Sequence, residues 1–282
     1  MRGLIRGGLR GILGQPLLAI GFVLVAVQLS LAVFAPLFAT HGAFEQDILS
    51  RYQDPNLSHW LGTDKFGRDL FSRILYGYRA SLLVSGCAVV IALMVGGTLG
   101  VVAAYYRGWT ERIIMRCMDI LFAFPIILLA IGVIAVLGPQ TWTTAIAIGV
   151  VFTPIFARLL RGPTLVIAES EYVVGARAVG AGDGRIMLRH ILPNLASVIL
   201  VQASLSLSTA ILVEASLSFL GIGTQPPTPS LGLMLADGRE YVFISPWTSI
   251  FAGFAILLMS FGFNLLGDAL RDTLDPRLRG AS

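Results

Sequence analysis

Charge is scarce in this 282-residue chain: Asp, Glu, Lys and Arg make up only 13%, while 56% of residues are hydrophobic. A soluble domain carries about 25% charged residues, so water is not the solvent for most of this surface. Cysteine is nearly absent. Cys87 and Cys117 both lie within or beside apolar stretches and supply neither a disulfide framework nor zinc-ligand spacing. They read as small packing residues. Lysine is rarer still, with Lys65 standing alone in Asp64-Lys-Phe-Gly67. A P-loop needs a lysine after its glycine-rich turn to reach the terminal phosphates, so the chain has no Walker A sequence. No ATP or magnesium cofactor of its own is expected, nor any catalytic residue. Histidine is limited to His41, His59 and His190. No two of them are spaced as metal ligands on one helix, and no metal site is expected.

What the chain has in quantity is long apolar runs. A spanning helix needs about 20 largely apolar residues, and six candidates meet that rule: roughly 16–38, 80–105, 117–137, 142–160, 195–220 and 247–267. The expected fold class is therefore all-α, a polytopic membrane protein of six transmembrane helices. Met1–Arg10 is basic and resembles the start of a signal peptide. The apolar stretch behind it continues to about Phe38 without a small-residue cleavage site, so it is read as a retained first helix. The net charge of +4 is spread between the apolar runs rather than gathered in a stripe, which speaks for topology and not for nucleic acid. With the amino terminus inside, cytoplasmic segments hold 14 of the 20 basic residues, so the positive-inside rule places both termini in the cytoplasm. Gly96 and Gly100, four apart, would let a neighbouring helix approach closely.

The stretch between the fourth and fifth apolar runs, 161–194, is too long for a mere turn. Within it, Ser170 is placed to cap a helix of about ten residues, Glu171 suits its positive end, and the glycines from Gly180 to Gly184 end it. Tyr172, Ala176 and Val179 share one side with Gly175 beside them, while Arg177 projects elsewhere. Such a face fits a groove in another protein, or packs back on this chain's own helix ends.

This segment resembles the coupling loop of binding-protein-dependent ABC importer permeases, whose pattern is Glu-Ala-Ala, three residues, Gly, nine residues, Ile, one residue, Leu-Pro. The register sets Val174-Gly175-Ala176 on the triplet, Gly180 on the glycine, His190 on the isoleucine and Leu192-Pro193 at the end. Val174 stands for the glutamate and His190 for the isoleucine, with the spacing intact, so no carboxylate at 174 is available to contact an ATPase. Three further stretches narrow the likeness: His59-Trp-Leu-Gly-Thr-Asp-Lys-Phe-Gly-Arg-Asp-Leu-Phe-Ser-Arg73, Ser218 through Gly232, and Phe263 through Pro276. They are similar to the second permease subunit of dipeptide, oligopeptide and nickel importers.

The resemblance implies a type I importer fold, with a five-helix core behind an extra N-terminal helix. It divides the chain into a first helix and extracytoplasmic segment (1–78), a permease domain (79–270) with its coupling loop at 161–194, and a cytoplasmic tail (271–282). It implies a homologous second permease, two ATPase subunits or domains that bind ATP and magnesium, and an extracytoplasmic binding protein that chooses the cargo. The coupling residues it singles out are Tyr172, Gly175, Ala176, Arg177, Ala178, Gly180, His190, Leu192 and Pro193. The implied activity is import of di- or oligopeptides by alternating access across the bacterial inner membrane, with nickel or another small solute as the alternative.

Two carboxylates carry competing readings. Glu214 lies inside the fifth apolar run between Val213 and Ala215; it is a pathway or gate residue, or the acceptor of an interhelical hydrogen bond. A secondary carrier would use it as an ion site, but such carriers show repeated halves and broken helices. Gly180-Ala-Gly-Asp183 matches the Gly-x-Gly-Asp signature of intramembrane aspartyl proteases, with Asp119 as a second carboxylate. Asp183 falls in a polar loop, which disfavours that enzyme.

Overall fold

The computed structural model describes residues 16–274. Arg2, Arg6, Arg10, Arg277 and Arg279, and most of the expected 271–282 tail, lie outside the described residues. The described chain is helical throughout its regular elements: α1 Pro16–Val33, α2 Leu70–Tyr106, α3 Gly108–Phe122, α4 Ile126–Leu137, α5 Thr141–Ala168, α6 Glu171–Ala178, α7 Asp183–Phe219, α8 Leu231–Glu240 and α9 Trp247–Leu274. Five of these are long and apolar enough to cross a membrane, and the bent pair α3–α4 makes a sixth.

The third expected span, 117–137, is not straight. α3 and α4 meet at 96° across Ala123-Phe-Pro125. Pro125 has no N–H to give the ladder and pushes the residue before it out of the α region, and its own extended backbone starts α4 afresh. The second span begins well before the expected residue 80. Its first three turns, from Leu70, rise out of the apolar zone and carry Arg73, buried to 2% exposure and donating to the Ala43 carbonyl at 3.2 Å. At 37 residues α2 is about 55 Å long, more than a bilayer core of about 30 Å needs.

α5 is the centre of the bundle: 72% of its most apolar stretch is buried, against 28% for α1. Val84, Ala88 and Ala92 of α2, Ile134 of α4, Ile148, Phe152 and Phe156 of α5, and Val213 and Leu217 of α7 form one core. A second core joins α1, α7, α8 and α9 through Val25, Ile211, Met234, Ala252 and Met259. Side chains pointing away from both, such as Phe22, Val90, Leu128 and Phe254, are half exposed.

α2 and α5 touch backbone to backbone. A Cβ on Gly96 would stand 2.1 Å from the Thr153 carbonyl oxygen, and one on Gly100 2.3 Å from that of Ala157. The four-residue spacing read in the sequence therefore marks a real close approach. Because the obstacle is backbone, nothing cheap can move aside. Gly100→Leu is expected to cost about 2–3 kcal/mol through overpacking and to lower the melting temperature of the purified protein. Gly132→Ala, whose added Cβ meets nothing within 4 Å, is the control that should leave it unchanged.

Loops 39–69 and 220–246 share one end of the bundle, where Lys65 Nζ donates to Asp237 Oδ1 at 2.8 Å and Trp247 Nε1 to Asp54 Oδ1 at 2.7 Å. Burial pulls the Lys65 ammonium down, but hydrogen bonds to Asp237 and Tyr241 outweigh it and hold the group above its ordinary range. A raised folded-state value means that this contribution is complete below the ordinary lysine range and is lost only in strong alkali. The single lysine is thus committed to this cap.

Candidate functional site

The opposite end of the bundle carries the 161–194 stretch, and most of it is helical. α5 continues to Ala168, and α7 starts at Asp183, leaving α6 as an eight-residue helix between turns. Ser170 does occupy the N-cap position, yet its hydroxyl donates backwards to the Ile167 carbonyl at 2.6 Å and caps nothing. The C-terminal end follows the expected glycine logic. Gly180 sits at φ +83° while Gly180 and Ala181 donate to the Arg177 and Ala176 carbonyls, which closes the helix by a left-handed turn.

Val173 alone on α6 is fully buried. It enters a third apolar cluster with Val101 of α2, Leu160 and Ala168 of α5, and Ile186, Ile191 and Leu195 of α7. The remaining faces stay open: Tyr172 is 50% exposed, Val174 51% and Val179 86%. Gly175, Arg177 and Ala178 are exposed too, whereas Ala176 is half-buried and turns partly towards the body. The sequence reading grouped Ala176 with Tyr172 and Val179; the structure replaces it on the open face with Val174. α6 is consequently a peg with one fully buried side chain, Val173, and an apolar surface turned outward.

Polar contacts brace this peg against the rods. Tyr105 and Tyr106 at the end of α2 donate to Asp183 Oδ1 and Oδ2 at 2.7 and 3.2 Å, and the Arg177 guanidinium lies over the Tyr105 ring at 5.4 Å. Arg107 pairs with Glu169 at 2.7 Å. On the other side Asn194 donates to the Tyr172 hydroxyl at 3.3 Å and to the His190 carbonyl at 2.6 Å, and the Tyr172 and His190 rings stand 6.4 Å apart. Leu192 and Pro193 are exposed on a tight turn of α7 that follows a π-helical turn, Met187–Ile191. The wide turn leaves room for the proline ring, which would clash with the carbonyl four residues back in a regular helix.

Asp183 and Asp119, the pair of the protease reading, keep separate company. Asp119 binds Arg158 at 2.6 Å beside the Arg161–Glu111 ion pair, on the wall of a charged recess of about 500 Å³ between α3 and α5. Asp183 is held by the two tyrosines. No shared proton or water-activating dyad joins them. Glu214 is fully enclosed near the other end of α7. Ser81 donates to its Oε2 at 2.7 Å, and Ser218, Ser230 and Thr224 surround its Oε1 at 2.8, 3.3 and 3.4 Å. These partners come from α2, α7, the start of α8 and the loop before it.

An all-helical bundle with five or six candidate spans and one outward-facing peg is the architecture of a polytopic membrane protein. The chain belongs to the family described as the binding-protein-dependent transport system inner membrane component, whose sequence model matches residues 96–280. It is 46% identical over 260 residues to the dipeptide transport system permease protein DppC of Alkalihalophilus pseudofirmus, covering 92% of this chain and 86% of that one. It is 45% identical over 259 residues to the glutathione transport system permease protein GsiD of Pectobacterium atrosepticum, covering 92% and 85%. Inward-facing structures of the MetNI methionine ABC transporter share the fold at 16–17% identity. One aligns with a TM-score of 0.58 over 72% of this chain and 97% of that one, the other with 0.59 over 73% and 98%. The type I importer fold and the identity as an inner-membrane transport component follow.

Proposed function

We propose that this chain is the peptide-translocating permease subunit of an ATP-driven importer, and that α6 receives motion from a partner ATPase which binds the ATP and magnesium. The observation that carries the reading is α6 itself. It is anchored by Val173 to the ends of α2, α5 and α7, and it turns Tyr172, Val174 and Val179 to the outside. A push on the peg therefore reaches three spanning rods at once. Nucleotide shifts the permease only if the ATPase binds it differently in the two states, and that difference resides in the partner. The dipeptide and glutathione permeases named above support a short peptide as cargo.

The same reading places the 161–194 stretch, the inner ends of α3 and α5, and both termini in the cytoplasm. It assigns 1–78 to the anchor and external segment, 79–270 to the permease domain and 271–282 to an inner tail. It also calls for a homologous second permease and an external binding protein. Reconstituting the full complex in proteoliposomes tests it. Uptake of a labelled dipeptide or of glutathione should require ATP and binding protein together. Uptake driven by an ion gradient without nucleotide would establish a secondary carrier instead.

A further inference from the structure

The sequence reading discounted a metal site because no two histidines have metal-ligand spacing on one helix. The fold reverses this for two of them. His41, on the turn after α1, and His59, in the middle of the 40–69 segment, bring their rings to 4.6 Å between centroids. Both face Asp69, the N-cap residue of α2, whose carboxylate is fully buried.

The two carboxylate oxygens of Asp69 are divided in their work. Oδ2 accepts the Ser72 backbone N–H at 2.8 Å and the Thr40 hydroxyl at 3.3 Å, so it is committed to capping the helix. Oδ1 is turned to the imidazoles, 3.0 Å from His59 Nδ1 and 3.9 Å from His41 Nδ1. One ligand atom from each of the three side chains lies within 4.8 Å of the others. Around a tetrahedral ion with bonds of about 2.0–2.1 Å, donor atoms stand roughly 3.3 Å apart, and the two observed separations bracket that spacing.

The three groups open on a small cavity of about 150 Å³, also lined by Glu45, Asp47 and Gly67. Hydrogen bonds from Ser50 and Leu49 hold the Asp47 carboxyl below its ordinary value, so it stays anionic there. The cavity thus combines two imidazoles, an inward carboxylate and further negative charge. That donor set suits a borderline divalent ion of the zinc, nickel or copper kind, not calcium or magnesium, which take oxygen ligands in greater number.

The geometry points to a divalent transition-metal site formed by His41, His59 and Asp69, which clamps the 40–69 segment to the first turn of α2. The His41 Nδ1 contact with the Thr40 hydroxyl, 3.1 Å, is the bond that an arriving ion replaces. The inference does not rest on the transport reading and stands or falls separately from it.

Untagged full-length protein in detergent, exposed to Zn²⁺ and freed of excess by gel filtration, should retain a single equivalent of zinc by elemental analysis. Co²⁺ in its place should develop the intense visible d–d bands of a low-symmetry site. His41→Ala and His59→Ala should each weaken retention by at least about tenfold, while His190→Ala leaves it unchanged. His41 decides the matter, since its side chain is 35% exposed and its loss should leave elution and melting temperature unaltered. Zinc retained equally by a well-folded His41→Ala variant, or no stoichiometric retention by the unaltered chain, overturns the assignment.

Discussion

Gly175→Glu is expected to insert, fold and assemble, and yet to abolish ATP-driven uptake. A Cβ added at Gly175 meets nothing within 4 Å, so this chain has room for a larger side chain there. Glycine is also among the poorer helix formers, and replacing it with glutamate favours α6 by roughly 0.5–1 kcal/mol. Any loss must therefore arise from something outside the chain that packs on the open face beside Tyr172 and Val174. A carboxylate forced into such an apolar contact costs about 3 kcal/mol or more when unpaired, which corresponds to a fall in coupling of roughly a hundredfold.

Uptake and ATPase stimulation in proteoliposomes, set beside the melting temperature, measure this directly. Gly175→Ala should remain close to normal. Normal uptake by a stable Gly175→Glu variant would remove α6 as the receiver. Gly180 is a less clean probe, because its φ of +83° strains any replacement side chain by roughly 1–2 kcal/mol, and a loss there mixes strain with lost contact.

Glu214→Ala carries the largest expected effect on stability. It leaves four hydroxyls, from Ser81, Ser218, Thr224 and Ser230, without their common acceptor. An orphaned buried donor costs about 1–3 kcal/mol, while interhelical hydrogen bonds in membranes average only about 0.6. Two of the four bonds are short and two long, which sets the expected loss at about 3 kcal/mol. It should appear as a lower melting temperature together with loosening of the 220–230 loop to proteolysis. Glu214→Gln keeps one acceptor oxygen but turns an NH₂ towards hydroxyl donors, and should fall between. The pair also separates the two meanings of this residue. Stability and uptake lost together identify a fastening; uptake lost with the melting temperature unchanged identifies a pathway group.

Hydropathy alone marked the five unbroken candidate spans and the bent pair, because a helix that crosses lipid must be long and apolar, with its backbone groups satisfied internally. The Gly96 and Gly100 pair and the peg at 171–178 were legible for equally local reasons, helical period and glycine placement. The departures are places where distant residues decide. The apolar run pointed to a start near residue 80, yet the cap formed by the 39–69 and 220–246 loops buries Arg73 against the Ala43 carbonyl and Asp64, and the helix runs through it. Pro125 did mark the break between α3 and α4, but apolar residues on both sides made the run read as continuous. The hydroxyls around Glu214 come from positions 81 to 230, and nothing in their spacing announces a shared partner. The tyrosine clasp on Asp183 and the meeting of His41 with His59 are long-range in the same way.

α1 packs against α9, and Gln28, 4% exposed, donates its side-chain amide to the Leu258 carbonyl at 2.7 Å across 230 positions of sequence. α1 also lies against α2, through Val25, Ala32, Leu70 and Ile74, but this polar bond cannot form until α9 has been synthesised. Until α9 is made, the Gln28 amide is without this acceptor. Docking of α9 is what satisfies that amide, and a chain cut short before α9 would carry a polar group within an apolar helix without it.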